Sequence, residues 1–481
     1  MEHSQNRKGE PKGSDKKPLR VAWFSPLRLS QDAFESPSPS AYVSSVLLPL
    51  IKERCELELF HDSFDSLEGY PTFHYLTAWD RHRNNPFDVF FYHLEDHRRT
   101  AFARMHLALK PGLVWFHDLL LTDDGPEPIL NSAWERVVQK FQKAGTPWPE
   151  RGEEFKRPRP HAVREVGIGG IPIFSSEKDL KEYHLLAARM GKEKGLAFEH
   201  PYSEVISTPS HDPLGFLLPY PVLGPKLESS KRATGNEFVL GLCVPPGIEG
   251  RVPAILEALR RVSSGPRLAS TNKCRLLWLL DNAKEREIAE SMLKDFGVQD
   301  LCTTSGGPDG LPFGRGPYAW ENALDGIDVA LHLHFSVYGQ PGPALALSLA
   351  KGLPTLVSDF GGSDFLPDDV VLKIRPGAGE VQEIAAVIDG LRTGRLVVDA
   401  RRAQSVATER HDARQIADQL LCAMRLSGPA LERIQTRWNA LEGEAAQALI
   451  REVAPPAQSW FDNERDLVLR APFKEFGWGR L

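Results

Sequence analysis

The sequence predicts an α/β chain built from two doubly wound parallel sheets, and three observations carry that expectation. Strand-like and helix-like segments alternate along both halves of the 481 residues. The strand-like segments are continuously apolar rather than alternating, as in FDVFFYHL and GLVWF, which suits strands covered by helices on both faces. A polar stretch with a Ser-Ser-Lys-Arg cluster, residues 227–236, separates one such series from the next and reads as an interdomain linker.

In the first series, LRVAWFS (Leu19 to Ser25) is a short strand closed by Pro26, followed by a Ser/Pro-rich loop from Ser30 to Ser40. Ala41 to Arg54 is expected as a helix because Val43, Val46, Leu47, Leu50 and Ile51 recur at helical spacing. Glu56–Phe60, Phe87–Leu94 and Gly112–Phe116 are the next strands, with a helix over Thr100–Lys110. Residues 122–162 are rich in Pro and charge and break the rhythm, so they read as an insertion. Ile171–Ser175, a helix from Lys178 to Lys194, and Phe216–Leu223 close this half.

The second series has strands at Phe238–Val244, Arg275–Leu280, Val329–Phe335, Thr355–Ser358 and Val370–Ile374. Its helices are Val252–Val262, Lys284–Phe296, Pro343–Lys351 and Glu380–Arg392, and Val397 to Val453 is mostly helical. The expected division is a disordered tail over 1–18, a first Rossmann-like domain over 19–226, the linker, a second Rossmann-like domain over 237–425, and a helical segment over 426–481 that partly packs back on the first domain.

Composition narrows the partners. Lys plus Arg is 58 against 64 Asp plus Glu, a net charge of -6, which argues against a nucleic-acid surface. The five cysteines are widely spaced and form no CxxC pair, so neither a disulfide framework nor a zinc cluster is expected and a reducing cytoplasm fits. The polar, Lys-rich start has no apolar core of a secretory signal, and no run approaches the ~18 apolar residues of a membrane span.

Three stretches point to chemistry. In LHLHFSVYGQPGPALALSLAKGLPTLVSDFGGSDFLPDD a strand gives way to the small-residue loop Gly339-Gln340-Pro341-Gly342, and a helix begins at Pro343. A Gly-rich loop feeding a helix N-terminus offers backbone N–H groups and a positive dipole end to a phosphate. That feature alone is also an ordinary strand-loop-helix turn. The second stretch is the strand ending in Ser25-Pro26, with Ala41-Tyr42 opening the following helix. The third is the Pro-Gly-Leu-Val strand that ends in His117-Asp118.

Together these stretches resemble GT-B glycosyltransferases of family 4. The common form of that family has a Gly-Glu pair, then Ala-x-Gly-x-Pro, then Asp-x-Gly. Here they stand as Gly339-Gln340, Ala350-Lys351-Gly352-Leu353-Pro354 and Asp359-Phe360-Gly361. The resemblance implies two Rossmann-like domains facing a cleft, with C-terminal helices. It implies a retaining enzyme that moves a sugar from a nucleotide-sugar donor to a glycan or lipid-linked acceptor. His117 and Asp118 would be catalytic. Arg251, His334, Gly339, Gln340, Gly342 and Gly361 would bind the donor, and Ser25, Pro26 and Tyr42 would form the acceptor-side loop. No cofactor or metal is implied.

Two departures stand out. The family's pair of donor-site carboxylates eight positions apart has no counterpart, since Gly339 or Gln340 and Leu347 occupy the places. Its usual loop glycine on the acceptor side is replaced by Pro39 and Ser40. These departures support the alternative of a catalytically degenerate GT-B binding or scaffold protein; a sugar-nucleotide epimerase is a third reading. His332 and His334 alternate on a strand and face one side, but no third metal ligand accompanies them. The basic run RPRPHAVR (Arg157 to Arg164) reads first as a solvated loop. Its second reading is peripheral contact with anionic lipid at the inner membrane face or with polysaccharide.

Overall fold

In the computed structural model the strand-like apolar runs of the sequence become parallel strands. The structure describes residues 18–27, 39–96, 98–119, 121, 165, 170–192, 215–223, 237–244, 246, 251–264, 273–280, 283–304, 324–334, 342–360, 363 and 366–453. The expected tail, the 122–162 insertion, the 227–236 linker, the run 157–164, and Gly339, Gln340 and Gly361 lie outside the described residues.

The first sheet is formed by β1 (Leu19–Phe24), β2 (Cys55–His61), β3 (Thr72–His74), β4 (Val89–Leu94), β5 (Leu113–Phe116), β6 (Ile171–Phe174) and β7 (Phe216–Leu217). Their order is β3-β2-β1-β4-β5-β6-β7, parallel throughout. The second sheet holds β8 (Glu237–Leu242), β9 (Lys273–Trp278), β10 (Cys302–Thr304), β11 (Val329–His332), β12 (Thr355–Ser358) and β13 (Leu372–Ile374), also parallel, in the order β10-β9-β8-β11-β12-β13. Both sheets reverse their winding at the centre, between β1 and β4 and between β8 and β11. Outside the strand C-termini at such a switch point a doubly wound fold leaves its ligand crevice.

The strands are apolar on both faces because both faces are covered. Every residue of β4 and Val21 to Phe24 of β1 are buried. In the first half the cover comes from α1 (Pro39–Ile51), α2 (Ala78–Asn84), α3 (Ala101–Leu109) and α4 (Glu177–Lys192). In the second it comes from α5 (Val252–Ser263), α6 (Ala283–Phe296), α7 (Pro343–Ala350), α8 (Glu380–Arg392) and α9 (Ala400–His411). Helix α1 buries Val43, Val46, Leu47, Leu48 and Ile51, each contributing about 1.5–3 kcal/mol as area removed from water. Helix α7 packs on α9 and ends at Gly352, whose φ of +67° suits a residue without Cβ. A Cβ there would also meet Ala400 at 3.0 Å.

The final helix, α10 (Ala413–Val453), returns to the first half. It packs on α1, pairs Asp418 with Arg54, and buries Leu420, Leu421 and Met424 in the same cluster as Val43 and Leu47. The return starts at Ala413, upstream of the boundary the sequence reading sets at 425. Residues 218–223 are stitched to the junction of α9 and α10. Val222 N–H donates to the His411 carbonyl at 2.6 Å and Ala413 N–H to the Val222 carbonyl at 3.0 Å.

Three short elements, β3, α2 and β10, were not resolved by the sequence pattern. Phe216–Leu223 yields only a two-residue strand, because Pro219 and Pro221 end the ladder.

Candidate functional site

Strand β11 lies beside the centre of the second sheet and leads into α7, so the α7 N-terminus stands at that sheet's switch point. Gly342 is the N-cap residue with φ -65° and ψ 173°, and Pro343 occupies the first turn. Gly342 also borders a cleft of about 530 Å³ between the two halves. The first half contributes Ser175, Glu177, Leu217, Pro219 and Tyr220. The second contributes one face of α7 (Gly342, Leu345, Ala346, Leu349), Leu366, and the ends of α9 and α10 from Glu409 to Gln419.

His117 follows β5, and the sequence reading points it into a cleft. Instead its ring is 2% exposed, covered by Tyr220 from the segment after β7. His117 Nδ1 is 3.1 Å from the Tyr220 hydroxyl and Nε2 is 2.9 Å from His93 Nδ1. Burial lowers the pKa of His117 to about 3 and that of His93 well below the usual histidine value. Both rings are therefore neutral and each carries one N–H, so the chain of hydrogen bonds runs in a single direction through the three residues. Its inner end, His93 Nε2, has no hydrogen-bond partner among the described residues.

Acidic groups surround this chain at the C-terminal edge of the first sheet. Glu95 follows β4, Asp118 follows β5, and Asp179 lies in the first turn of α4. Burial first, and then these three carboxyl groups, raise the Tyr220 pKa well above its ordinary value, so the phenol is neutral. Asp118 Oδ2 accepts the Asp96 N–H at 2.9 Å. Asp179 is 1% exposed and its Oδ2 has no hydrogen-bond partner among the described residues; burial, opposed by Lys178 and reinforced by Asp118, pushes its pKa up to about 8.

Arg251 faces inward. It precedes α5 in a left-handed conformation, φ 52°, rare for a residue with a Cβ. All five guanidinium N–H groups are used within the second half. Nε and Nη2 donate to Glu380 at 3.1 and 2.7 Å, Nη1 to Ser358 Oγ at 3.0 Å and to the Ile374 carbonyl, and Nη2 also to the Arg375 carbonyl. The expected contact of Arg251 with a diphosphate thus meets a side chain already committed to Glu380.

The remaining expected residues divide. His334 lies half-buried at the end of β11, its pKa lowered to about 4 by burial. His332 Nε2 is 3.0 Å from Ser348 Oγ, whose own proton goes to the Ala344 carbonyl, so His332 carries its proton on Nε2 and donates. Ser25 is fully buried and accepts the Ser44 hydroxyl at 2.8 Å, while Ser44 Oγ accepts Trp23 Nε1–H at 3.0 Å. Pro26 is half-buried beside it. Tyr42 donates its hydroxyl to the Pro221 carbonyl at 3.0 Å, tying α1 to the segment that carries Tyr220. Leu347, at one of the family's carboxylate places, is 1% exposed in the core.

Sequence reasoning missed Tyr220, His93, Asp179 and Glu380. The one available signal was Pro219-Tyr220-Pro221, an aromatic held between two prolines just before the linker.

No family model matches the chain, and no curated protein matches it in sequence. Solved structures do. HepE of Anabaena in complex with UDP and glucose is 15% identical, with a TM-score of 0.52 over 84% of this chain and 99% of that one. The sucrose-phosphate synthase of Thermosynechococcus elongatus is 13% identical, with a TM-score of 0.52 over 85% of this chain and 98% of its own. A glycosyltransferase from Rickettsia africae gives 10% identity and a TM-score of 0.52 over 85% of this chain and 98% of that one. With the two parallel sheets and their helices, these likenesses show that the chain has the two-domain GT-B fold.

Proposed function

We propose that the chain is a nucleotide-sugar-dependent glycosyltransferase that transfers a sugar with retention to a glycan or lipid-linked acceptor across the cleft between its halves. One observation carries the reading. The Gly342-capped N-terminus of α7 stands at the switch point of the second sheet and opens on the 530 Å³ cleft. A helix N-terminus carries about half a positive charge, suited to the leaving diphosphate. HepE, of the same fold, holds UDP and glucose.

In this reading Gly339, Gln340, Gly342 and Gly361 hold the donor with His334 nearby. Arg251 braces the ends of β12 and β13 through Ser358 and the Ile374 carbonyl, and is itself held by Glu380. His117 is a positioning residue that acts through Tyr220, with Asp118 beside it. Ser25, Pro26 and Tyr42 support the acceptor side from within. The reaction needs no metal or cofactor, uses no nucleic acid, and takes place in the cytoplasm or at the inner membrane face. Among the described residues no helix is long and apolar enough to cross a membrane.

Calorimetry with UDP, GDP and ADP, followed by turnover assays with the corresponding sugar nucleotides, tests the reading. One nucleotide is expected to bind and its sugar conjugate to be consumed. Absence of all nucleotide binding at millimolar concentration removes the donor-site assignment. A second reading, a GT-B protein that binds but does not transfer, is favoured by the buried Leu347 and by the committed guanidinium of Arg251. Binding without turnover of any donor would establish it.

A further inference from the structure

We propose that the cleft beside α7 receives the apolar tail of an amphipathic acceptor whose head group is an uncharged sugar. The inference rests on the glycosyltransferase reading and specifies its acceptor. The cleft floor is apolar and deep: Leu345, Ala346 and Leu349 lie along one face of α7, opposite Ile416 and Leu366, none more than 3% exposed. The cleft they floor, with Leu217 and Pro219 at its mouth and its polar rim included, measures about 530 Å³, within the range of small-molecule sites. Water there finds few partners, so an alkyl or prenyl chain gains by replacing it.

The rim is different. Glu177, Glu409, Arg410, Gln415 and Gln419 border the cleft and are exposed. Two carboxylates against one guanidinium give no positive excess to hold a phosphate or carboxylate head group. Among the described residues, the side chains of Arg410, Gln415 and Gln419 make no hydrogen bond, which leaves amide and guanidinium donors for sugar hydroxyls. The same cleft reaches Gly342, where the reading puts the donor phosphate, and Tyr220, the partner of His117. A head at this rim lies beside the donor while its tail follows α7 toward Leu349.

The test uses the full chain and calorimetry with hexyl, octyl and decyl β-D-glucosides below their micelle concentrations. Glucose, octyl phosphate and UDP are titrated in parallel. Affinity should rise about fourfold per added methylene, the equivalent of ~0.8 kcal/mol each, with glucose alone not binding and octyl phosphate binding more weakly than octyl glucoside. Ala346→Phe, which fills the floor, should weaken octyl glucoside at least tenfold. Gln419→Trp, at the exposed rim and outside the packed core, should do the same while leaving UDP affinity within twofold. The second variant keeps the test decisive if the first does not fold. Affinity independent of chain length, tighter binding of octyl phosphate, competitive displacement by UDP, or full binding by Gln419→Trp would each overturn the proposal. UDP binding without glucoside binding refutes this inference and spares the transferase reading; glucoside binding without any nucleotide refutes the transferase reading, and with it the acceptor role.

Discussion

Asp179 sits in the first turn of α4 with Oδ2 unpartnered among the described residues and a pKa of about 8, against ~3.9 in an unfolded chain. Between those two values the native state holds a proton that the unfolded state releases. Stability therefore falls as pH rises through that window, by at most about 1.4 kcal/mol per pH unit. Asp179→Asn keeps the shape and removes the titration. Its melting temperature should match wild type near pH 4 and exceed it at pH 8, and thermal melts at the two pH values check this. Arg251 is the opposite case, a charge fully satisfied by its surroundings. Its left-handed backbone costs about 1 kcal/mol, offset by five hydrogen bonds. Arg251→Met strands Glu380 and should lower stability by about 3 kcal/mol in urea denaturation. At this scale the sequence was informative about which strand ends carry polar residues and silent about what covers them. His117 follows directly from the end of β5, but its cover, Tyr220, comes from a segment 103 positions later, and only the tertiary fold brings them together.

Helix α7 shows how an element can be read from sequence and still need the structure for its use. Pro343 at its start and Gly352 just past its end mark its limits, and the expected span Pro343–Lys351 differs from the observed helix by one residue. The long strands were equally legible, because continuous apolar runs bounded by Gly and Pro have few alternatives. Of the three-residue strands, β3 and β10 gave no such signal: Thr-Phe-His and Cys-Thr-Thr are too short to show a period, and neighbouring strands recruit them. Which face of α7 borders the cleft could not be read at all, since every residue of the helix is buried. Gly342 offers the test at this scale. Its φ and ψ suit any residue, and a Cβ there would meet nothing within 4 Å among the described residues. Gly342→Val should therefore fold, with a melting temperature lowered only by the poorer N-cap, yet place two methyl groups at the cleft beside the helix N-terminus and weaken nucleotide binding at least tenfold by calorimetry. Unchanged nucleotide affinity in a folded Gly342→Val protein would move the donor away from α7.

Across the whole molecule the halves share a core. The cluster that contains Val43 and Leu47 of α1 also contains Ala330 of β11, Leu345 and Leu349 of α7, Val406 of α9 and Leu420 of α10, so α9 and α10 join one face of the second sheet to the first half, while its other face packs a separate cluster under α5 and α8. A molecule joined in this way should melt as one. It also carries neutral histidines through both halves: His106 and His117 in the first, His332 in the second, each with a pKa lowered to about 3, and His82 and His334 lowered to about 4. Burial is the leading cause in every case. In an unfolded chain these rings titrate near 6.5. Below that value the unfolded state takes up protons that the native state refuses, so stability is complete above pH ~6.5 and is lost as pH falls toward 4. The losses add, because rings in one cooperative unit must all be exposed together. Calorimetry of the Asp179→Asn protein, in which the opposing titration of Asp179 is removed, should show between pH 7.5 and 4 a single endotherm whose midpoint stays nearly level above pH ~6.5 and drops ever more steeply below it. His117→Gln, which keeps a hydrogen-bonding side chain near Tyr220 and cannot be protonated, should flatten that drop by one histidine's share while lowering the plateau. Two separable endotherms, or a midpoint that holds level down to pH 4, would mean that the halves are not one core or that water reaches these rings.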